Sequence, residues 1–139
     1  VGDVLRVTVT VVVPAQRDFV EVVDFLPAGL EPIDPDLKTT DPALRARLEA
    51  ERMAANRPEG IAYYAPWFRW YWNPFDQVIT RDDRIILRAT SLPKGVHEFV
   101  YYVRATAPGT FYVAPAHAEE TRFPEVFGRS DSGRFAVVP

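Results

Sequence analysis

The sequence predicts an all-β protein: an antiparallel β-sandwich of the immunoglobulin-like type, with one short helical insertion near residues 41–55. Three observations point there. Runs of β-branched residues with period two recur along the chain, turn residues separate them, and the one good helix-forming stretch lies between strands.

The elements follow in order. "LRVTVTVVV" puts Leu5, Val7, Val9, Val11 and Val13 on one face and Arg6, Thr8 and Thr10 on the other, a half-buried strand that Pro14 ends. "RDFVEVVDFL" resumes as a second strand, and "LPAG" places a proline and a glycine as in a type I turn. "TTDPALRARLEAERMAANRPEG" then offers Thr40 or Asp41 as a helix cap and Pro42 near the first helical position. Good helix formers continue to Met53, and Leu44 and Leu48 lie four apart to seat one side of the helix on the sandwich. "RIILRAT" reads as a strand and "GVHEFVYYVRAT" as a longer one. Here Phe99, Tyr101 and Val103 share a face opposite Val100, Tyr102 and Arg104, so both faces are partly apolar and the strand lies between two covers. "APGT" sets Pro108 and Gly109 at the centre of a type II turn into "FYVAPA", and "DSG" turns the chain into a last strand, "RFAVV".

The 139 residues are 47% hydrophobic and 25% charged, the composition of one globular domain, read as residues 1–139 without internal repeats. Cysteine is absent, which excludes disulfides, zinc–thiolate sites and thiol nucleophiles. The net charge is −3 and the arginines are scattered, so nothing suggests a nucleic-acid partner. No apolar run approaches the roughly 18 residues of a membrane span, and no signal peptide opens the chain. A chain that starts in strand-like sequence and ends in "RFAVVP" reads as a domain of something longer.

"HAEETRFPE", His117 to Glu125, gathers one histidine, three glutamates and an arginine. Strand spacing would set His117, Glu119 and Thr121 on one face and Ala118, Glu120 and Arg122 on the other. His117 and Glu119 offer two metal ligands where a catalytic zinc needs three, with His97 and Glu98 as candidates from a neighbouring strand. The better reading is a solvated polar edge whose ladder is blocked by Pro115 and Pro124, so no metal or other cofactor is expected. "WFRWYW" would line Phe68, Trp70 and Trp72 on one side of a strand; large aromatics of this kind are most often core or interdomain contacts, and less often a sugar platform. In "RDDR", Asp82 and Asp83 would point to opposite faces and share no substrate, so Arg–Asp pairing at a strand entrance accounts for them. There is no nucleophile elbow and no glycine-rich phosphate loop. No catalytic residue is assigned, and an enzyme is not expected.

"DFLPAGLE" (24–31), "RDDRIIL" (81–87), "YYVRATAPGTFYVAPAHAEE" (101–120) and "PEVFGRS" (124–130) occur in that order. Together they resemble the C-terminal macroglobulin-like domain of bacterial alpha-2-macroglobulins, over nearly the whole chain except the helical insert. The resemblance implies a macroglobulin-like sandwich in a large extracellular or periplasmic inhibitor, possessing or lacking a surface anchor in its parent chain. Such inhibitors trap a protease that cuts their bait region, and an internal thioester in another domain captures it. The domain itself does no chemistry; it packs against the thioester domain and shields it until activation. Its partners are then the other domains of its own chain and, through that chain, target proteases, with no nucleic acid and no membrane insertion. In relatives the opening segment runs proline, small residue, any residue, Ala, Glu, a Met–Tyr pair, one residue, Pro–Glu. Pro115, Ala116, Ala118, Glu119, Pro124 and Glu125 fit, but Thr121 and Arg122 replace the Met–Tyr pair and Phe123 follows. Arg122 is no aromatic plug, though its planar guanidinium is able to stack or to pair with a carboxylate.

The expectation is therefore an interdomain docking surface made by His117, Glu119, Glu120, Thr121, Arg122, Phe123, Pro124 and Glu125. The alternative is an immunoglobulin-like surface module that binds glycans through Trp67, Trp70 and Trp72.

Overall fold

The computed structural model describes residues 1–34, 37–55 and 75–139, with residues 51–55 described as helix backbone only. Trp67, Trp70 and Trp72, and Phe68 beside them, lie outside the described residues. Among the described residues ten strands and one helix follow in the order β1 (Val4–Val13), β2 (Arg17–Phe25), β3 (Leu30–Pro32), α1 (Pro42–Ala55), β4 (Gln77–Thr80) and β5 (Arg84–Leu92). Then come β6 (Gly95–Ala105), β7 (Gly109–Val113), β8 (His117–Glu120), β9 (Phe123–Arg129) and β10 (Gly133–Val137). A three-stranded sheet has the order β1-β6-β3, a five-stranded sheet the order β4-β5-β2-β8-β9, and β10 pairs with β7 alone. Every pairing is antiparallel.

The core lies between the sheets and is built by the alternation seen in the sequence. Val9 and Val13 of β1 are buried, with Leu5, Val7 and Val11 packed beside them. Val20 and Val22 of β2, Ile85, Leu87, Ala89 and Leu92 of β5, and Phe99, Tyr101, Val103 and Ala105 of β6 complete the layer. Phe75 meets Phe99 edge-on with ring centroids 6.1 Å apart, and Phe99 stacks on Tyr101 at 6.5 Å. Each fully buried aliphatic side chain such as Leu87, Leu92 or Val103 stabilises the fold by about 1.5–3 kcal/mol.

Strand β6 is covered on both sides, as its two apolar faces foretold. Val100 and Tyr102, opposite the core face, are buried with Leu48 of α1 and flanked by Leu44 and Ile33. The cap of α1 is Asp41: its Oδ1 accepts the Ala43 amide at 2.9 Å, and Pro42 sits at the first helical position, where its missing N–H costs nothing.

Three local expectations are corrected. The turn after β2 comes one residue later than "LPAG" suggested, with the Leu30 amide donating to the Pro27 carbonyl at 3.0 Å. Gly29 there serves packing, because a Cβ on it would fall 2.2 Å from the Phe111 ring. "APGT" does not close a type II hairpin either: Gly109 has φ +148°, not the roughly +80° of that turn. Both edges of β6 are already occupied by β1 and β3, so β7 crosses away and pairs with β10.

The third correction concerns β8, which is an inner strand between β2 and β9. Pro115 precedes it and no proline lies within it, so it is able to pair on both sides. The edge is β9. Its register jumps from Glu119↔Phe127 to Glu120↔Phe123, which leaves Pro124, Glu125 and Val126 outside the ladder.

Candidate interdomain docking hairpin

Strands β8 and β9 form a hairpin hung on β2 by four residue pairs, Val20↔Glu120 through Val23↔His117. The alternation expected for His117 to Glu120 holds, and it has a consequence for each side chain. Ala118 and Glu120 stand opposite Val22 and Val20, both core residues, whereas His117 and Glu119 stand opposite Val23 and Glu21 on the outer face. The chain turns at Thr121 and Arg122, so those two belong to the tip and to neither strand face.

On the outer face the residues form a transverse row. Gln77, Arg88, Glu21, Glu119 and Phe127 are successive cross-strand partners across all five strands. Like charges face each other at Glu21 and Glu119, an unfavourable pair by itself. Arg88 relieves it by donating from Nε to Glu21 at 3.0 Å, and His117 Nε2 approaches Glu119 Oε2 at 3.4 Å. His117 also stacks on the Phe127 ring at 5.8 Å, and the Arg129 guanidinium lies 5.4 Å from that ring.

This arrangement does not make a metal site. His117 and Glu119 engage each other, and His97 contacts the Pro93 carbonyl at 2.7 Å from β6, in the other sheet, where β6 neighbours β1 and β3 and not β8. Among the described residues no three His, Asp or Glu side chains converge. "RDDR" is the β4–β5 turn: Arg84 forks onto Asp83 with two bonds of 3.0 Å, which hold the Asp83 carboxyl below its usual range.

On the core side, Glu120 lies beside an open cleft of about 610 Å³ between β1 and the hairpin, lined by Val9, Val11, Val22, Ala118 and Val126 among others. Arg17 reaches Glu120 at 3.9 Å. Glu120 is therefore a half-buried carboxylate with a cation beside it.

The tip is built by residues far apart in sequence. Phe19 has φ +53°, the only non-glycine in the left-handed region among the described residues, and a bulky side chain there is strained. Thr121 holds it: its amide donates to the Phe19 carbonyl at 2.8 Å and its hydroxyl donates to the same oxygen at 3.1 Å. The Arg122 guanidinium carbon lies over the Phe19 ring, 3.7 Å from its centre, the contact distance of a stacked pair. Phe123 follows, 58% exposed, and Phe127 is 55% exposed.

Of the residues expected at this surface, His117, Glu119, Thr121, Arg122, Phe123, Pro124 and Glu125 thus share one hairpin, while Glu120 turns to the cleft. Phe19, Arg17 and Phe127 were not singled out in the sequence. The trace Phe19 left was a large aromatic on the parity of Glu21 and Val23, the outward parity of β2.

Comparison with known proteins places these observations in a family. Residues 1–125 match the bacterial alpha-2-macroglobulin MG10 domain. The chain is 31% identical over 136 residues to an alpha-2-macroglobulin homolog from a Nostoc species, covering 98% of this chain and 6% of that protein. A Salmonella alpha-2-macroglobulin reacted with methylamine superposes with a TM-score of 0.69 at 25% identity, over 99% of this chain and 8% of that one. A trypsin-activated alpha-2-macroglobulin from Escherichia coli gives 0.74 at 22% identity, over 99% and 9%. The chain thus spans less than a tenth of these relatives.

Proposed function

This chain belongs to the bacterial alpha-2-macroglobulin family, as an MG10 domain, and from that premise we propose that it is a non-catalytic C-terminal docking domain of a larger protease inhibitor. Its β8–β9 hairpin packs against another domain of the same chain, a thioester-type domain, and leaves it when the bait region is cut. The Escherichia coli relative is one that trypsin activates, and the Salmonella relative is one that methylamine reacts with. Both support a parent that responds to a protease and carries a nucleophile-sensitive group elsewhere. Such a parent works outside the cytoplasm, where foreign proteases are met.

The observation that carries this reading is the hairpin tip. Exposed Phe123, exposed Phe127 and a cation stacked on Phe19 lie on one hairpin that is paired to β2. Aromatic and arginine side chains are the groups enriched at the centres of interfaces. Phe123 and Phe127 belong to neither buried cluster, so their rings are left to meet another surface.

The test is Phe123→Ala in the full-length protein. We expect unchanged melting of the domain, faster amide exchange across residues 117–129, and quicker loss of thioester-dependent labelling in the uncut protein. Unchanged exchange and labelling in this variant would remove the hairpin from the docking surface.

A further inference from the structure

We infer that the Phe19–Arg122 stack is a preorganised cationic anchor that receives a carboxylate from an acidic segment of the domain it docks against. The inference rests on the docking reading above and names the chemistry of the partner.

Stacking decides what Arg122 has left to offer. A guanidinium whose carbon sits 3.7 Å over a ring spends its π face on that ring and leaves its in-plane N–H groups for other partners, and two of them grip a carboxylate with parallel bonds. The fork has no carboxylate within the described residues. The acids just before the turn are engaged elsewhere: Glu120 is beside Arg17 and Glu119 is beside His117. By contrast Arg84 and Arg88 each hold a carboxylate of their own. Arg122 is therefore a cation supported by the ring of Phe19, which is partly exposed, and followed in the chain by exposed Phe123.

The support is itself strained. Phe19 is kept at φ +53° by two hydrogen bonds from Thr121, 102 residues away, and that backbone places its ring beneath the guanidinium. Fixing a long, flexible side chain before contact removes part of the ordering cost of binding. Charge complementarity then selects the occupant: an aspartate or glutamate flanked by apolar residues, which the rings of Phe19 and Phe123 would seal from water. A neutral apolar partner would leave the guanidinium buried and unpaired, with nothing to offset its desolvation.

The experiment uses the full-length protein with Arg122→Lys, treated with a carbodiimide that joins an amine to a carboxylate in direct contact. The peptides are read by mass spectrometry, and hydroxyl-radical footprinting of Phe123 in the unsubstituted protein is read beside them. A cross-link from position 122 to an aspartate or glutamate outside residues 1–139, with Phe123 protected, is the expected result. Phe123 protected but no such cross-link, or one confined to residues 1–139, keeps the docking surface and overturns the anchor. Phe123 fully reactive in the uncut protein overturns the docking reading, and the anchor falls with it.

Discussion

Tyr101→Phe tests a polar contact that links the two sheets of the sandwich. Tyr101 is 3% exposed and its hydroxyl donates to Asp24 Oδ2 at 2.5 Å, bridging β6 and β2 across the core. Burial pushes the Asp24 carboxyl above its ordinary range, and the tyrosine hydrogen bond opposes that shift. The sign follows. An acid whose folded pKa is raised binds more protons in the native state, so stability falls as pH rises from the unfolded value of 3.8 through the folded one and stays lower above it. Removing the hydroxyl takes away the group that offsets this cost and leaves the ring packing intact. Hydrogen bonds to charged groups contribute about 1.5–3 kcal/mol, so Tyr101→Phe should lose roughly 2 kcal/mol at pH 7. That corresponds to a drop of about 6–10 °C in a domain of this size. Near pH 3, with Asp24 protonated in both states, the loss should shrink by about half, because a neutral pair contributes only ~1 kcal/mol. Urea titrations at the two pH values provide the assay. A loss that is equal at both, or none at pH 7, would refute the reasoning.

Asp24→Asn keeps an acceptor for Tyr101 and removes the buried charge, so it should raise stability at pH 7 and flatten the pH dependence between 4 and 7, read by the same titrations. Gly29→Ala should destabilise by about 1–3 kcal/mol because its Cβ meets the Phe111 ring, and Phe111→Leu should recover part of the loss in melting temperature. Leu48→Ala removes the one fully buried helix side chain packed on Val100 and Tyr102 among the described residues and should cost about 2–5 kcal/mol, with loss of helical circular dichroism before global melting. Arg88→Ala removes the cation beside the opposed Glu21 and Glu119; a loss of about 0.5–1 kcal/mol that fades in high salt is expected from denaturation at two ionic strengths.

How far the sequence reached depends on the range of the interaction involved. The alternation of β1 and the two-faced pattern of β6 are set by side chains two residues apart, and they gave the sandwich, its central strand and the seat of α1 directly. Asp41 and Pro42 signalled the start of the helix by local chemistry. Strand order was not legible, since it depends on which edges are still free: β7 leaves β6 because β1 and β3 hold it, and β8 is internal although its composition is polar. Polarity misled there because Glu120 finds a cross-strand partner, Arg17, that no local window contains, while Glu119 is met by His117 on its own strand. At the hairpin the expected residues came together, and the ability of Arg122 to stack was visible in its chemistry. The ring it stacks on was not, because Phe19 reaches it only through a backbone conformation that the residue type disfavours.

That separation also explains how the tip can depart from the Met–Tyr pair that the resemblance implies while the sandwich persists. Thr121, Arg122 and Phe123 lie beyond the core and are held by the β2 ladder and the Phe19 carbonyl, so their replacement removes none of the buried side chains. Changing the tip is therefore inexpensive for folding, whereas changing Val22, Leu87 or Val103 is not. A tyrosine presents a neutral ring with one hydroxyl; the present tip presents a ring with a cation laid on it. The two surfaces are similar in planar area and opposite in what they demand of a partner, since one accepts an apolar pocket and the other requires an acid within it. If the docking surface has changed in this way, the facing domain must have changed with it. The residue that the carbodiimide cross-link reveals should then be acidic here and apolar or neutral in relatives that keep the tyrosine.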